Sequence, residues 1–270
     1  MMQISISNAI GSRYRSASTS PVDPDAQAFI TAAAITNPTQ QAAINTLVVD
    51  LKGYSLWTKM KALYPFVGGT AAQHKWNLKD PRDLDAAFRL VFSGGWTHSS
   101  TGALPNGTNG YADTFLTPSV SLTSSSGHLS IYSRTNVAED KYDIGVVTFP
   151  NDNMIASRYI ANLFYVNYGA ATYPNISNTD SRGHFINNRN SVTNTTGFKN
   201  GVRVINSAQT GGLATNPIFI SALNNNAVAA SFSSKQLAFS SLGDGLTDTE
   251  AANFYTAVQA FQTTLNRQIP

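Results

Sequence analysis

The chain has 270 residues, of which 42% are hydrophobic and only 12% charged, and it carries a net charge of +3 and no cysteine. This apolar content is enough for a folded core, while the lack of cysteine excludes disulfides, thiolate metal sites and cysteine nucleophiles. The basic residues form no cluster and no apolar run approaches the length of a membrane span, so neither nucleic-acid binding nor membrane insertion is expected.

Residues 1–20 are rich in serine and show no periodic pattern, with two scattered arginines, Arg13 and Arg15. This composition is typical of a flexible arm. An arm that docks on a neighbouring subunit is the alternative.

Two helices are predicted after the arm. Asp23 is an N-cap residue followed by Pro24 and an acidic first turn, which predicts a helix to about Ile35. Asn37 and its following proline repeat this pattern. The second helix should end at Gly53, and its apolar stripe consists of Ile44, Leu47, Val48 and Leu51.

A third, shorter helix is predicted from about Ser55 to the residue before Pro65. Leu56, Met60 and Leu63 would lie on one face of it, because they are spaced by four and three residues.

From Gly68 to about Leu242 the pattern changes to short apolar or alternating runs, which predict strands. These runs are residues 87–92, 129–132, 144–149, 160–166, 184–186, 201–205, 218–223 and 236–239. Gly, Asn, Ser, Thr and Pro clusters separate them, with no helical pattern in between. A mainly β chain with an antiparallel sandwich or jelly roll is therefore expected, not a parallel α/β sheet.

Two dipeptides, Asn106-Gly107 and Asn200-Gly201, have the composition of hairpin turns, since both residues tolerate positive φ. Residues 243–245 (Gly-Asp-Gly) are interpreted as a connection from a strand to a helix and not as an anion or Ca²⁺ site. The last helix begins at a capping box, Thr247 to Glu250. Its apolar stripe should pack on the sheet, with another subunit as the alternative, and consists of Ala251, Phe254, Tyr255, Val258, Phe261 and Leu265.

No catalytic centre, metal site or cofactor is predicted. Each of the four histidines stands alone in its segment, without the spacing of a metal site, and no G-x-S-x-G or Gly-rich phosphate motif is present. Glu139 and Asp140 are adjacent, so on a strand they would point to opposite faces, whereas glycoside hydrolysis needs two facing carboxylates. Asp83 and Asp85 alternate but are better explained by charge pairing and turn formation.

Polar segments with aromatic residues are the candidate ligand site. Aromatic faces stack on sugar rings and Asn side chains bond hydroxyls, so these segments could bind glycan. The leading candidates are Trp96, His98, Asn106, Asn109 and Tyr111, with Tyr165, Tyr168, Tyr173 and Asn175 as further members. The alternative, left open here, is that the tyrosines pack on the sheet and the asparagines serve turns.

Two stretches, residues 23–117 (DPDAQAFITAAAITNPTQ to GYADT) and 242–268 (LGDGLTDTEAANFYTAVQAFQTTLNRQ), resemble a module of tailed-phage virion proteins. The segment between them, with FKNG at 198–201, is similar to concanavalin-like, laminin-G-type jelly rolls. The resemblance implies a virion structural protein of the tail, baseplate, fibre or capsid decoration. It carries over no catalytic residues, and the Ca²⁺ site of some laminin-G-type domains does not map onto particular residues.

We therefore predict a concanavalin-like sandwich at residues 68–270, including the C-terminal helix, and an arm with a helical assembly segment at 1–67. The expected function is a homo-oligomeric, non-enzymatic component of the extracellular virion that contacts other virion proteins and host surface glycans. The low charge supports self-association because it leaves little repulsion between copies. A secreted or surface lectin is the alternative, and a polysaccharide depolymerase is the third hypothesis.

Overall fold

The computed structural model describes residues 21–170 and 172–269, and the predicted arm at residues 1–20 lies outside them. The helices within this part of the chain are α1 (Pro24–Ala32), α2 (Pro38–Gly53), α3 (Ala71–His74), α4 (Pro118–Ser121) and α5 (Asp248–Thr264). The strands are β1 (Met60–Tyr64), β2 (Val91–Ser93), β3 (Trp96–Ser99), β4 (Gly102–Pro105), β5 (Tyr111–Asp113), β6 (Gly127–Ser133), β7 (Ile144–Val147), β8 (Asp152–Tyr159), β9 (Leu163–Ala170), β10 (Asn175–Ser177), β11 (Gly183–Ser191), β12 (Asn194–Lys199), β13 (Val202–Ala208), β14 (Phe219–Ile220), β15 (Leu223–Asn225), β16 (Val228–Ala230) and β17 (Leu237–Gly243).

The predicted helix starts are confirmed. Asp23 caps α1 by accepting a hydrogen bond from the amide of Asp25, and Asn37 caps α2 by accepting one from Gln40. At α5, Thr247 and Glu250 form both hydrogen bonds of a capping box. These caps satisfy backbone amides that a helix leaves unpaired, which is why the sequence marked them clearly.

The predicted third helix is wrong. Residues Trp57–Lys59 form a short 3₁₀ turn, and Met60–Tyr64 form the strand β1, which pairs with β17. Met60 and Leu63 pack into the core under the helices, while Ala62 and Tyr64 pack into the core between the sheets. A strand buried on both faces has a continuous apolar run, which mimics helical spacing over a short window.

The strands form two sheets, so the predicted mainly β sandwich is confirmed. The first sheet has eight strands in the order β13-β12-β11-β6-β17-β4-β3, with β1 also paired to β17. The second sheet has nine strands in the order β10-β9-β8-β7-β14-β5-β2, with β15 also paired to β7 and β16 paired to β15. Neighbouring strands are antiparallel except for β15 and β7.

The helices cover the outer face of the first sheet. The stripes of α1, α2 and α5 share one core with side chains of β6, β11, β12 and β17. From the sheet this core receives Tyr132, Ile186, Phe198, Ala238 and Phe239. The predicted packing of the last helix on the sheet is therefore confirmed.

A second core lies between the two sheets. Leu129, Ile131 and Phe185 enter it from the first sheet, and Phe164 and Val166 enter it from the second. Alternation along each strand sends the intervening residues to the opposite face, so that β6 contributes Tyr132 to the helix side.

Three predicted strands have different limits in the structure. In the run at residues 87–92, Phe88 is left-handed with φ 59°, and the strand begins only at Val91. The run at 160–166 starts at Leu163 because residues 161 and 162, with φ near 60°, turn the chain between β8 and β9. Ser221, with φ 64°, divides the run at 218–223 into β14 and β15.

One predicted hairpin is confirmed and the other is wrong. Asn200 and Gly201, with φ of 50° and 76°, join β12 to β13 as a tight turn. Asn106-Gly107 instead follows β4, in the first sheet, and precedes β5, in the second. The residues 243–245 connect β17 to α5 as predicted.

Contacts cross the predicted boundary between residues 67 and 68. Strand β1 is part of the first sheet, and Lys59 forms an ion pair of 2.7 Å with Glu250 at the start of α5. The division into two domains stays a prediction. Among the described residues, no helix has the length and hydropathy needed to span a membrane.

His184 is buried under α5, and neither ring nitrogen has a hydrogen-bond partner among the described residues. Its ring lies 5.1 Å from that of Phe254, centroid to centroid. Burial, with a further contribution from His128, lowers the pKa of His184 to about 3. Below pH 6.5 the unfolded chain therefore binds a proton that the folded chain excludes, so stability is lost as the pH falls.

We predict that His184→Phe is neutral or stabilising by about 1 kcal/mol at pH 7, because it removes an unsatisfied buried polar group. It should also reduce the loss of stability below pH 6.5 by about 1.4 kcal/mol per pH unit. Urea unfolding between pH 7 and pH 4 measures both effects. An unchanged pH dependence would contradict the prediction.

Candidate functional site

Trp96 lies on β3, where its indole is held within the protein. Its Nε1 donates to the carbonyl oxygens of Ser93, at 3.0 Å, and Tyr111, at 3.3 Å. Its half-buried ring makes an edge contact with Phe92, with centroids 5.1 Å apart. The indole donor that a ligand could have used is therefore already bonded.

His98 stands alone in its segment of the sequence, but the structure brings it against another histidine. Its Nδ1 lies 2.9 Å from Nδ1 of His74, which is 24 residues away in the chain. Burial, reinforced by His98 and Arg267, lowers the pKa of His74 to about 3, and burial also lowers the pKa of His98. At neutral pH both rings are therefore neutral, and Nδ1 of one ring donates to Nδ1 of the other. In residues 21–170 and 172–269, no three His, Cys, Asp or Glu side chains gather as metal ligands.

The two candidate asparagines fold the segment that contains them. The side-chain oxygen of Asn106 accepts from the amides of Thr108, Asn109 and Gly110, each at 3.1 Å. Its Nδ2 donates to Oδ1 of Asn109, which also accepts from the amide of Gly95 at 3.0 Å. These contacts support a turn-forming role for both side chains.

Tyr111 belongs to a different surface. Ala112 points into the core between the sheets, so Tyr111 points to the outer face of the second sheet. There its ring lies 4.6 Å from Phe219 and 6.3 Å from Phe232, centroid to centroid. Phe219 is buried beneath it, whereas Tyr111 and Phe232 are partly exposed.

Three more tyrosines extend this surface. Tyr142 pairs through its backbone with Phe232, and its ring lies 5.6 Å from that of Tyr159. Tyr159 in turn lies 5.2 Å from Tyr165, which occupies the outer face of β9. These rings form two groups that the backbone bridge between Tyr142 and Phe232 connects. We call the whole set the tyrosine seam, and it consists of Tyr111, Tyr142, Tyr159, Tyr165, Phe219 and Phe232.

Two carboxylates lie beside the tyrosine seam. Asp140 is exposed and accepts a hydrogen bond from the hydroxyl of Tyr159. Asp152 is buried and accepts from Tyr173 at 2.6 Å. Burial raises the pKa of Asp152, partly offset by the Tyr173 hydrogen bond. Hydroxyls and a carboxylate thus border the aromatic rings.

The structure places the remaining candidate ligand-binding residues at different locations. Tyr168 is fully buried in the core between the sheets, while Tyr173 is 39% exposed. Asn175 lies on the edge strand β10, opposite Tyr165, and its amide donates to the carbonyl of Tyr173. The structure therefore brings Tyr111 and Tyr165 into one surface and places Tyr168 elsewhere.

A buried charge cluster positions the centre of the tyrosine seam. Nζ of Lys235 lies 2.9 Å from Glu139 and 3.0 Å from Asp143, and Oγ of Ser233 lies 2.9 Å from an oxygen of each carboxylate. Burial disfavours the lysine cation, but Asp143 and Glu139 outweigh it and raise the pKa of Lys235. The cluster ties the segment containing Tyr142 to the segment containing Phe232. Nothing in the sequence linked these charges, since they are about 90 residues apart.

No family model matches the sequence, and no curated protein matches it. Among solved structures, a sialidase mutant from Trypanosoma rangeli with trans-sialidase activity has a TM-score of 0.50 at 8% identity, over 82% of this chain and 39% of that one. The binding domain of Paraclostridial Mosquitocidal Protein 1 has a TM-score of 0.49 at 12% identity, over 74% and 52%. Domain 4 of the arabinanase AbnA from Geobacillus stearothermophilus, solved with arabinotriose, has 0.45 at 11%, over 73% and 98%. The sialidase likeness supports the sandwich fold and nothing beyond it.

We predict that Lys235→Met destabilises the protein by about 3–5 kcal/mol, because it leaves two buried carboxylates without their cation. Adding Glu139→Gln and Asp143→Asn should recover much of this loss, since the neutral side chains need no counter-charge. Chemical unfolding of both variants measures the difference. A loss below about 1 kcal/mol for Lys235→Met would contradict a role for this cluster in holding the two segments together.

Proposed function

We propose that the chain is a non-enzymatic carbohydrate-binding protein whose ligand lies along the tyrosine seam. The observation that carries this proposal is the set of partly exposed rings on the outer face of the second sheet. The centroids of Tyr111 and Phe232 are 6.3 Å apart, and those along Tyr142, Tyr159 and Tyr165 are 5.6 and 5.2 Å apart. Flat aromatic faces stack on the apolar faces of sugar rings, and a row of them suits a chain of sugar units.

The hydrogen-bonding groups of the seam favour a neutral glycan. Each tyrosine hydroxyl can donate and accept, as sugar hydroxyls do. Asp140 is an exposed acceptor for sugar hydroxyls, but it repels carboxylates. The guanidinium of nearby Arg158 is already bonded to Asn162 and Asn136 at 2.7–2.9 Å.

The hydrogen bonds and ion pairs of the carboxyl groups near the tyrosine seam support binding without hydrolysis. Glycosidases need one carboxyl group to donate a proton and another to act as base or nucleophile across the scissile bond. Here Asp152 is buried against Tyr173, and Glu139 and Asp143 are engaged with Lys235. Asp140 is left without an accessible partner acid in the described seam.

A glycan array tests the proposal directly. The wild-type chain should bind a subset of neutral oligosaccharides, and Tyr165→Ala should weaken that binding about tenfold, the value expected for one stacked ring. Tyr54→Ala is the matched control, because Tyr54 is 38% exposed at the end of α2, outside the seam, and should bind normally. Bound glycans should be recovered intact by mass spectrometry.

Two outcomes would contradict the proposal. Either no glycan binds the wild-type chain, or Tyr165→Ala and Tyr54→Ala bind alike while both remain folded by circular dichroism.

The second candidate function is a structural component of a phage virion. It is favoured by the resemblance of residues 23–117 and 242–268 to a virion module, and by the contact between these stretches, since α2 and α5 share one core. In this role the helical layer would assemble copies of the chain on other virion proteins, and the tyrosine seam would face host glycans.

The virion role predicts that the chain co-sediments with purified phage particles and that a labelled antibody against it marks one particle region in electron micrographs. The same preparation should contain homo-oligomers by native mass spectrometry. A strict monomer that is missing from particles would contradict this role without affecting the carbohydrate proposal.

A further inference from the structure

A cleft of about 420 Å³ lies beyond the C-terminal end of β5, formed by residues outside the tyrosine seam. Its volume is within the range of small-molecule sites, about 300–1,000 Å³. Phe88, Phe115 and Val120 line it, and its polar groups are those of Asp85, Thr117 and Ser121.

The two phenylalanines have unfavourable backbone conformations. Phe88 has φ 59° and Phe115 has φ 56°, in the left-handed region that bulky side chains rarely adopt. Such conformations persist where the surrounding structure enforces them, and they occur often at ligand sites. Two of them line the same cleft.

Buried groups fix both backbones. The hydroxyl of Tyr64, a fully buried residue, donates to the carbonyl of Phe88 at 2.6 Å. The carboxylate of Asp113 accepts from the amide of Phe115 at 2.8 Å, and Oγ1 of Thr114 accepts from Leu116 at 3.1 Å. The backbone that carries both rings is therefore held in place before any ligand arrives, which reduces the entropic cost of binding.

Val120 completes an apolar wall that faces solvent. It lies on the short helix α4 and is 83% exposed, the highest value among the large exposed hydrophobic residues described. An apolar side chain in this position gains by contact with the apolar face of a ligand.

The charges around the cleft exclude an acidic ligand. The guanidinium of Arg89 lies 5.8 Å from the centroid of the Phe115 ring, and it is paired with Asp85 at 2.7 Å. Burial raises the pKa of Asp113, the acid behind the cleft, with a further contribution from the negative charge of Asp85. A ligand carboxylate would meet Asp85, and the described residues that line the cleft include no cation to bind it.

We propose that this cleft binds a single neutral sugar ring, such as the terminal unit of a glycan, stacked between Phe88 and Phe115. Asp85, Thr117 and Ser121 would bond the hydroxyls at its edge. The inference rests on the proposed function only in taking a sugar as the ligand. The cleft itself is independent of that proposal, because it shares no residue with the tyrosine seam.

Saturation-transfer NMR tests the cleft with the methyl glycosides of glucose, galactose, mannose and N-acetylglucosamine, and with glucuronic acid as the acidic probe. At least one neutral probe should receive saturation from the wild-type protein, and glucuronic acid should receive none. Phe115→Gly should weaken the binding about tenfold, because it removes one stacking ring. Its melting temperature should be unchanged or higher, since glycine adopts positive φ without strain.

Two further variants separate the loss of the Phe115 ring from the relief of backbone strain, and separate binding in the cleft from binding at the tyrosine seam. Ala227→Gly relieves a positive φ of 71° in an exposed hairpin without removing a ring, so its melting temperature should rise and its binding should stay normal. Tyr165→Ala should bind the monosaccharides normally even where it loses the longer glycans. The cleft proposal is overturned if no neutral probe binds, if Phe115→Gly binds them as the wild type does, or if Tyr165→Ala alone abolishes their binding.

Discussion

Burial of the helical stripes organises the molecule. The apolar faces of α2 and α5 must leave water, and they do so against the outer face of the first sheet, where Phe239 and Phe254 are fully buried. Each such side chain contributes about 1.5–3 kcal/mol, so this layer supplies a large part of the stability. Because the helices cover the outer face of the first sheet, the outer face of the second sheet is the one of the two whose aromatic rings a ligand can reach.

The two proposed ligand sites share a physical principle, which is that polar side chains hold the backbone segments that carry the rings. Lys235, between its two carboxylates, ties together the segments of Tyr142 and Phe232. Tyr64 and Asp113 do the same for Phe88 and Phe115. Rings on segments fixed in this way lose little conformational entropy when a ligand stacks on them. This lower entropic cost supports ligand binding at sites that have few charged groups.

Local signals in the sequence identified the caps of α1, α2 and α5, the Asn200-Gly201 turn and the sandwich architecture, because these depend on neighbouring residues. The strand β8 was missed, since its buried face includes Asn153 and Ser157, which lack an apolar alternation. The segment of β1 was mistaken for a helix because it is buried on both faces.

The candidate site was less predictable, because it is assembled from distant segments. Composition identified Tyr111 and Tyr165, but only strand register places them on one face with Tyr142 and Tyr159. Asn106 and Asn109 form hydrogen bonds within their own segment. Residue type alone could not predict this, because an asparagine side chain can bond either the nearby backbone or a ligand.

Hydrogen–deuterium exchange of the wild-type chain, with and without the soluble glycan that binds it most strongly, tests the central claim most directly. The account predicts slower exchange in β8, β9 and the segments around Tyr142 and Phe232, with no change in α2 or α5. Protection confined to the helical layer, or to the Trp96 and His98 strand, would contradict it.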